Sequence, residues 1–276
     1  RLKVATIAMQ CDVDPEVNRR KMVEMVKKIK DEHSDVELIV FGETILGWYK
    51  KPSETRKYHE EIAENIPGIT THLMSELASQ NEIYVSFGMV ERDHDKLYNS
   101  QILIAPDGKI ITVQRKKNPK CESFQPGDRS IAFADINGVK TGIVICFDAQ
   151  SNMTAREVAE NEPHLIIISN ADWSNDWDTR NFGVGYLARR FNSWIVSSNR
   201  FGDEGDIYWD GHIEISNPVG DMCCLAKSKE QYIYYDIGFD LNQSQAKKTA
   251  RKTYMKISMA YHILKNLDIA LKYVDN

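Results

Sequence analysis

The 276-residue chain has no uninterrupted apolar run near the length of about 18 residues that a membrane-spanning helix needs, so no such span is expected. Nor does it carry a block of basic residues. Lys and Arg total 35 against 40 Asp and Glu, and the formal charge of -5 leaves no electrostatic footprint for DNA or RNA. Its five cysteines are odd in number and show neither CxxC nor Cys/His spacing, which argues against a metal site and a disulfide framework and for reduced thiols. The adjacent Cys223 and Cys224, in VGDMCCLA, read as strand residues. The seven histidines are dispersed, and no glycine loop of the phosphate-cradling kind is present, so neither a metal nor another cofactor is expected. The first residues lack the charged-then-apolar layout of a secretory signal, and a cytoplasmic protein is expected. The chain begins at Arg1 rather than Met, which leaves open whether residues precede it.

What is present is an alternation of apolar runs and helical segments. KVATIAMQ, a charged helix from about Val17 to Glu32, and VELIVFGE read as strand, helix, strand. A second cycle has an amphipathic segment from Thr70 to Gln80, the strand IYVSFGMV, a hairpin through RDHDK, the strand NSQILIA, and a PDG turn before KIITVQRK. The third has KTGIVICFD, a helix through TAREVAEN, LIIISNADW, a helix through GYLARRFN, and WIVSSNR. The strands HIEISNP, DMCCLAK and YIYYDI follow. This pattern predicts a layered α/β domain over residues 1–240. From Gln243 to Asp275 there is no Pro or Gly, and apolar residues recur at helical spacing, which predicts a helical extension over 241–276 packed on the domain or on a partner subunit.

Three residues end predicted strands, where α/β proteins place reactive groups: Glu43 in FGE, Lys116 in RKKNP and Cys146 in ICFD. Each has an ordinary structural explanation. Cys146 follows Ile, Val and Ile and reads as core, Glu43 as a solvated strand end, and Lys116 as part of a solvated basic cluster. Together they point further. A carboxylate semi-buried at a strand end has its pKa raised toward the range of a base, and a cysteine entering a turn where the next helix starts is in a setting that favours thiolate. Asp148 reads as an N-cap of the following helix, and Trp173 as either a pocket wall or a packing residue.

The order Glu43, Lys116, Cys146 resembles the triad of the carbon-nitrogen hydrolase (nitrilase) superfamily. Further pieces match in order: Gln10 in VATIAMQ, VFGETILGWY, LYNS followed by APDGKI, QRKK, FQPGD, GIVICFD, LIIISNADW, ARRFNSWIVSSNRFG and GHIEISNPVG. The resemblance runs from about Val4 to Gly220. It departs at Gly42, where the family usually has Pro, at Asn152 and Met153, where it has Pro-Glu, and at Ile213, where it has Ser.

The resemblance implies a four-layer αββα sandwich, at least a homodimer, and a small-molecule amide substrate. It makes Cys146 the nucleophile that forms a thioester and Glu43 the proton carrier. Lys116, directly after Arg115, is the oxyanion-stabilising lysine, with Lys117 as the alternative. Glu122, Phe147 and Trp173 are implied as substrate-positioning residues. The spacing of Glu122 to Pro126 and the Phe147–Asp148 pair resemble amidase-like members more than nitrilases proper, favouring an amide or carbamoyl substrate over a nitrile. A catalytically silent binding scaffold and an acyl transferase remain the alternatives.

Overall fold

In the computed structural model, the described residues are 1–127, 130–172 and 183–240, together with Ala260 and Leu264. The expected extension over 241–276 therefore lies outside the described residues, those two positions excepted. In chain order the elements are β1 (Leu2–Gln10), α1 (Pro15–Glu32), β2 (Leu38–Val40), α2 (Thr55–Ile62), α3 (Ile69–Asn81), β3 (Tyr84–Asp93), β4 (Lys96–Ile104) and β5 (Ile110–Arg115). They continue with β6 (Ala132–Ile136), β7 (Val139–Ile145), a 3-10 turn (Cys146–Gln150), α4 (Asn152–Asn161), β8 (Leu165–Ser169), α5 (Val184–Phe191) and β9 (Trp194–Glu204). Strands β10 (Ile207–Asp210), β11 (Ile213–Ser216), β12 (Met222–Ala226) and β13 (Gln231–Ile237) complete them.

The strands form one continuous path, β5-β4-β3-β2-β1-β9-β8-β7-β6, with β13 paired to β1 and β11 and β10 to β9. Strand β9 joins two sheets. Its first half runs parallel to β8, from Leu165↔Trp194 to Ser169↔Ser198, and its second half runs parallel to β1, from Ala8↔Asn199 to Gln10↔Phe201. The central strands are buried along nearly their whole length, with β1 open only at Lys3 and Gln10 and β8 buried throughout, as strands covered on both faces must be.

Three apolar clusters define the layers. Between the sheets lie Leu2, Val4, Val40, Ile143, Ile167 and Ile213, all fully buried. On the outer face of the β1 sheet, Ile7, Ile39 and Val85 meet Met22, Val26 and Ile29 of α1 and Met74 of α3. On the outer face of the other sheet, Val144, Ile166 and Ile168 meet Val158 of α4 and Leu187 and Phe191 of α5. Helix, sheet, sheet, helix is the expected αββα sandwich.

Local signals place the helices. Asp14 caps α1 by accepting from the Glu16 N–H at 2.9 Å, and Pro15 occupies the first turn, where its missing N–H costs nothing. The run expected as one strand to Glu43 stops at Val40. Beyond it the backbone leaves the ladder, with Glu43 N–H donating to the Asn170 carbonyl at 3.2 Å, which swings Glu43 toward the end of β8.

His59 of α2 is fully buried and stacked on Phe124, ring centroids 4.7 Å apart. Burial pushes the imidazole down to about 4, against an ordinary value of 6.5, although the backbone of Trp48 and Tyr49 offsets part of this. Between these two pH values the unfolded chain binds a proton that the folded ring refuses. Stability is therefore expected to be full above about pH 6.5 and to fall by on the order of 3 kcal/mol as pH drops to about 4. Denaturant melts of wild type and His59→Phe across this range test it. A wild-type curve no steeper than the variant's refutes the assignment.

Candidate active site

Four strand ends converge at one edge of the sandwich. Glu43 follows β2, Lys116 follows β5, Cys146 follows β7, and Asn170 and Ala171 follow β8. Glu43 is fully buried and Lys116 is 2% exposed. The Lys116 ammonium donates to Glu43 Oε1 at 2.6 Å, and the Asn99 side-chain amide donates to the same oxygen. Glu43 Oε2 is also buried but has no hydrogen-bond partner among the described residues. One carboxylate oxygen is thus saturated while the other is free, an arrangement suited to moving a proton.

Cys146 stands at the start of the 3-10 turn with φ +44, a left-handed conformation that a side-chain-bearing residue adopts only when its surroundings hold it there. Its Sγ lies 3.9 Å from the Ala171 carbonyl oxygen. Burial pushes the thiol up to about 12; Lys116 works against this, and Glu43 and Asp172 reinforce it. The expected resting thiolate is corrected on this point: Lys116 already has its anion in Glu43, so the cysteine rests protonated. For Lys116, burial opposes the charge, but Glu43, Cys146 and Tyr49 together outweigh it and raise its pKa, so the ammonium persists.

The two adjacent lysines find different partners, Lys116 pairing with Glu43. Lys117 points away and pairs with Glu157 at 2.7 Å. Asp148 does not cap α4, which is capped by Ser151 accepting from the Met153 N–H at 3.2 Å. Instead its buried carboxylate accepts from the N–H of Lys117 at 2.7 Å and of Asn118 at 2.9 Å, and from the Asn118 side chain. This ties the turn that carries Cys146 to the loop that carries Lys116.

Of the three expected positioning residues, none is brought into the triad by its described side chain. Glu122 is exposed, and among the described residues no hydrogen bond joins it to Lys116. Phe147 is 46% exposed, with the Lys120 ammonium 4.1 Å from its ring centroid. Trp173 lies outside the described residues.

Other groups that frame the site were not named as site residues from the sequence, although Arg190 and Arg200 lie in the matching piece ARRFNSWIVSSNRFG. Arg200, fully buried on β9, donates to the carbonyls of Glu43 and Thr44 at 2.8 Å each and to Gly47, and is neutralised by Glu204 at 2.6 Å. Arg190 of α5 donates to the carbonyls of Ala149 and Gln150, at 3.3 and 3.2 Å, holding the far end of the nucleophile turn. Gly88 gives the Glu43 loop room: a Cβ there would sit 2.5 Å from the Thr44 nitrogen. Of the positions that depart from the family pattern, Gly42 directly precedes Glu43, and a Cβ there would come within 3.0 Å of the Asn199 carbonyl oxygen. Asn152 bonds Arg190 at 2.9 Å, Met153 is 60% exposed, and Ile213 is buried between the sheets.

The sequence matches the family model described as carbon-nitrogen hydrolase over residues 3–247. It is 28% identical over 240 residues to a nitrilase from Pyrococcus abyssi, covering 84% of this chain and 87% of the relative. It is also 28% identical over 228 residues to a formamidase from Bacillus cereus, covering 78% of this chain and 64% of the formamidase, just under two thirds of that protein's length. Among solved structures, a glutamate-to-glutamine mutant of the amidase from Nesterenkonia sp. AN1 superposes with a TM-score of 0.76 at 14% identity, covering 91% of this chain and 99% of the amidase. That structure shows Michael addition of acrylamide at the amidase's active-site cysteine. Among the described residues, no helix is long and apolar enough to cross a membrane.

Proposed function

Because the chain belongs to the carbon-nitrogen hydrolase family, we propose that it hydrolyses a small carboxamide or carbamoyl compound through a thioester on Cys146. The observation that carries this reading is the divided carboxylate: Glu43 Oε1 is held by Lys116 and Asn99, while Oε2 is buried and unpaired.

In the first half-reaction the Cys146 Sγ bonds to the amide carbon as its proton passes to Glu43. Negative charge collects on the former carbonyl oxygen, which the Lys116 ammonium and the Phe147 backbone N–H stabilise. Collapse of the tetrahedral intermediate breaks the C–N bond, and Glu43 returns the proton to the departing nitrogen as ammonia or an amine. In the second half-reaction water attacks the thioester, losing a proton to Glu43, and the thiol leaves with that proton. A thiol raised to about 12 fits this scheme, since it gives up its proton only when the base and the electrophile are both in place. The relative named formamidase supports an amide substrate, and the relative named nitrilase makes nitriles the class the test must include.

The test is ammonia release from aliphatic amides, ω-amides, carbamoyl compounds and nitriles, with intact-protein mass spectrometry of the quenched enzyme. An acyl adduct mapped to Cys146, appearing only with amides or carbamoyl compounds that release ammonia, is the expected result. Silence toward every class would point instead to a binding scaffold. Product formed only when an amine acceptor is added would point to acyl transfer.

A further inference from the structure

Asn99 lies on β4 and is 1% exposed. Two bonds join it to two members of the triad. Its side-chain amide donates to Glu43 Oε1, and its backbone carbonyl accepts the N–H of Lys116 at 2.8 Å. Lys116 in turn gives its ammonium to the same carboxylate oxygen at 2.6 Å. The three residues, from β4, the loop after β2 and the end of β5, therefore close a ring of contacts. The next residue on β4, Ser100, points to the other face and donates to Glu91 at 2.6 Å, which Arg115 neutralises, so Glu43, with Lys116 beside it, is the charge that the Asn99 amide meets.

The other end of the same side chain is unsatisfied. Asn99 Oδ1 is buried and has no hydrogen-bond partner among the described residues, which weighs against stability. A leucine would fill the place without that cost, so packing does not account for an asparagine here. Nor is its amide needed to neutralise Glu43, since Lys116 already does so. What the amide adds is direction. A carboxylate held by a single ammonium can turn about its Cγ–Cδ bond and exchange its oxygens, whereas a second donor on Oε1, reaching in from another strand, fixes its plane. We propose that Asn99 is a positioning residue: its amide pins Glu43 Oε1, so that Oε2 is the oxygen that exchanges the proton with Cys146 and the departing nitrogen, while its carbonyl sets Lys116 against the same carboxylate. This rests on the amide-hydrolase reading above.

The experiment measures kcat and KM for a primary amide across pH in wild type, Asn99→Leu and Asn99→Asp, with a thermal melt of each. In Asn99→Leu the backbone bond to Lys116 stays and the donor to Glu43 goes. Its kcat is expected to fall by about 100-fold with KM within about threefold, and its melt to stay cooperative and near that of wild type, because the unsatisfied acceptor leaves with the donor. Asn99→Asp supplies a conditional donor. Its carboxyl and that of Glu43 share one site and hold one proton between them at acidic pH. With that proton at position 99 an O–H donates to Glu43 as the amide did; without it two anions face each other. Activity is therefore expected to exceed that of Asn99→Leu at acidic pH and to fall as pH rises, where wild type keeps its rate. A merely structural role would lower the melt and give no such alkaline loss. A folded Asn99→Leu with wild-type kcat, or an Asn99→Asp whose pH profile runs parallel to that of wild type, overturns the proposal alone. Should Asn99→Leu fail to fold, the Asn99→Asp profile decides; should neither fold, the side chain is structural and the proposal falls. No ammonia from any amide with wild type overturns the underlying reading and this proposal with it.

Discussion

Cys146→Ala and Glu43→Gln are each expected to reduce amide turnover by about 10⁴-fold or more, and to separate sharply in stability. The losses are similar because nucleophile and base act as a unit, so removing either leaves only binding and oxyanion stabilisation. Stability differs because the residues lie in different surroundings. Cys146 is half-buried at the head of a turn, and deleting its sulfur is expected to cost within about 1 kcal/mol. Glu43 is fully buried as the counter-ion of Lys116, and Glu43→Gln strands an ammonium in the interior at an expected cost of about 3–5 kcal/mol. The same variant should make Cys146 easier to alkylate. Glu43 pushes the thiol up and Lys116 pulls it down, so removing the carboxylate leaves only the pull, and the thiolate becomes the anion available to Lys116. Iodoacetamide labelling at neutral pH, read by peptide mapping, is expected to be faster at Cys146 in Glu43→Gln than in wild type. Slower labelling, or a Glu43→Gln protein as stable as wild type, would remove Glu43 from both roles.

Glu43, Lys116 and Cys146 were named as a candidate triad because each ends an apolar or alternating run; each position alone had an ordinary structural explanation, and the family resemblance singled out the three together. What the runs do not encode is which partner each group finds. Lys116 and Lys117 are adjacent and chemically identical, and only the turn out of β5 sends one to Glu43 and the other to Glu157. Asp148 looks like a cap from its position after the nucleophile, yet its carboxylate reaches back to a loop about thirty residues upstream. The resting state of Cys146 depends on a balance between burial and two opposite charges, which spacing does not reveal. Among the secondary elements, β6 is short and only partly apolar; its signal is the Asn137-Gly138 pair, both at positive φ, which forms a tight hairpin into β7. Asn99 and Arg200 are long-range contributions. Both lie in pieces that match the family, LYNS and ARRFNSWIVSSNRFG, which was the available signal, but neither spacing nor periodicity gives the partner of the side chain.

Arg200 carries the largest expected purely structural effect. Its guanidinium is fully buried, bonds Glu204 through Nε at 2.8 Å and Nη2 at 2.6 Å, and reaches the carbonyls of Glu43 and Thr44. The other oxygen of Glu204 takes the Tyr49 N–H. Arginine and glutamate on β9 therefore fix both ends of the loop from Glu43 to Tyr49. Arg200→Met is expected to destabilise by about 3–5 kcal/mol, since it leaves Glu204 buried without a counter-charge and the loop carbonyls without a donor. Glu204→Met should cost a similar amount by stranding Arg200. The double variant is expected to be more stable than the sum of the two losses predicts, because neither charge is then left alone. It should nevertheless stay catalytically impaired, since the carbonyls of residues 43, 44 and 47 still lack the donors that hold Glu43 toward Cys146. Denaturant melts and kcat on the four proteins separate these effects. Additive stability losses would mean that the pair is not coupled, and a double variant with wild-type kcat would mean that the loop holds Glu43 in place without it.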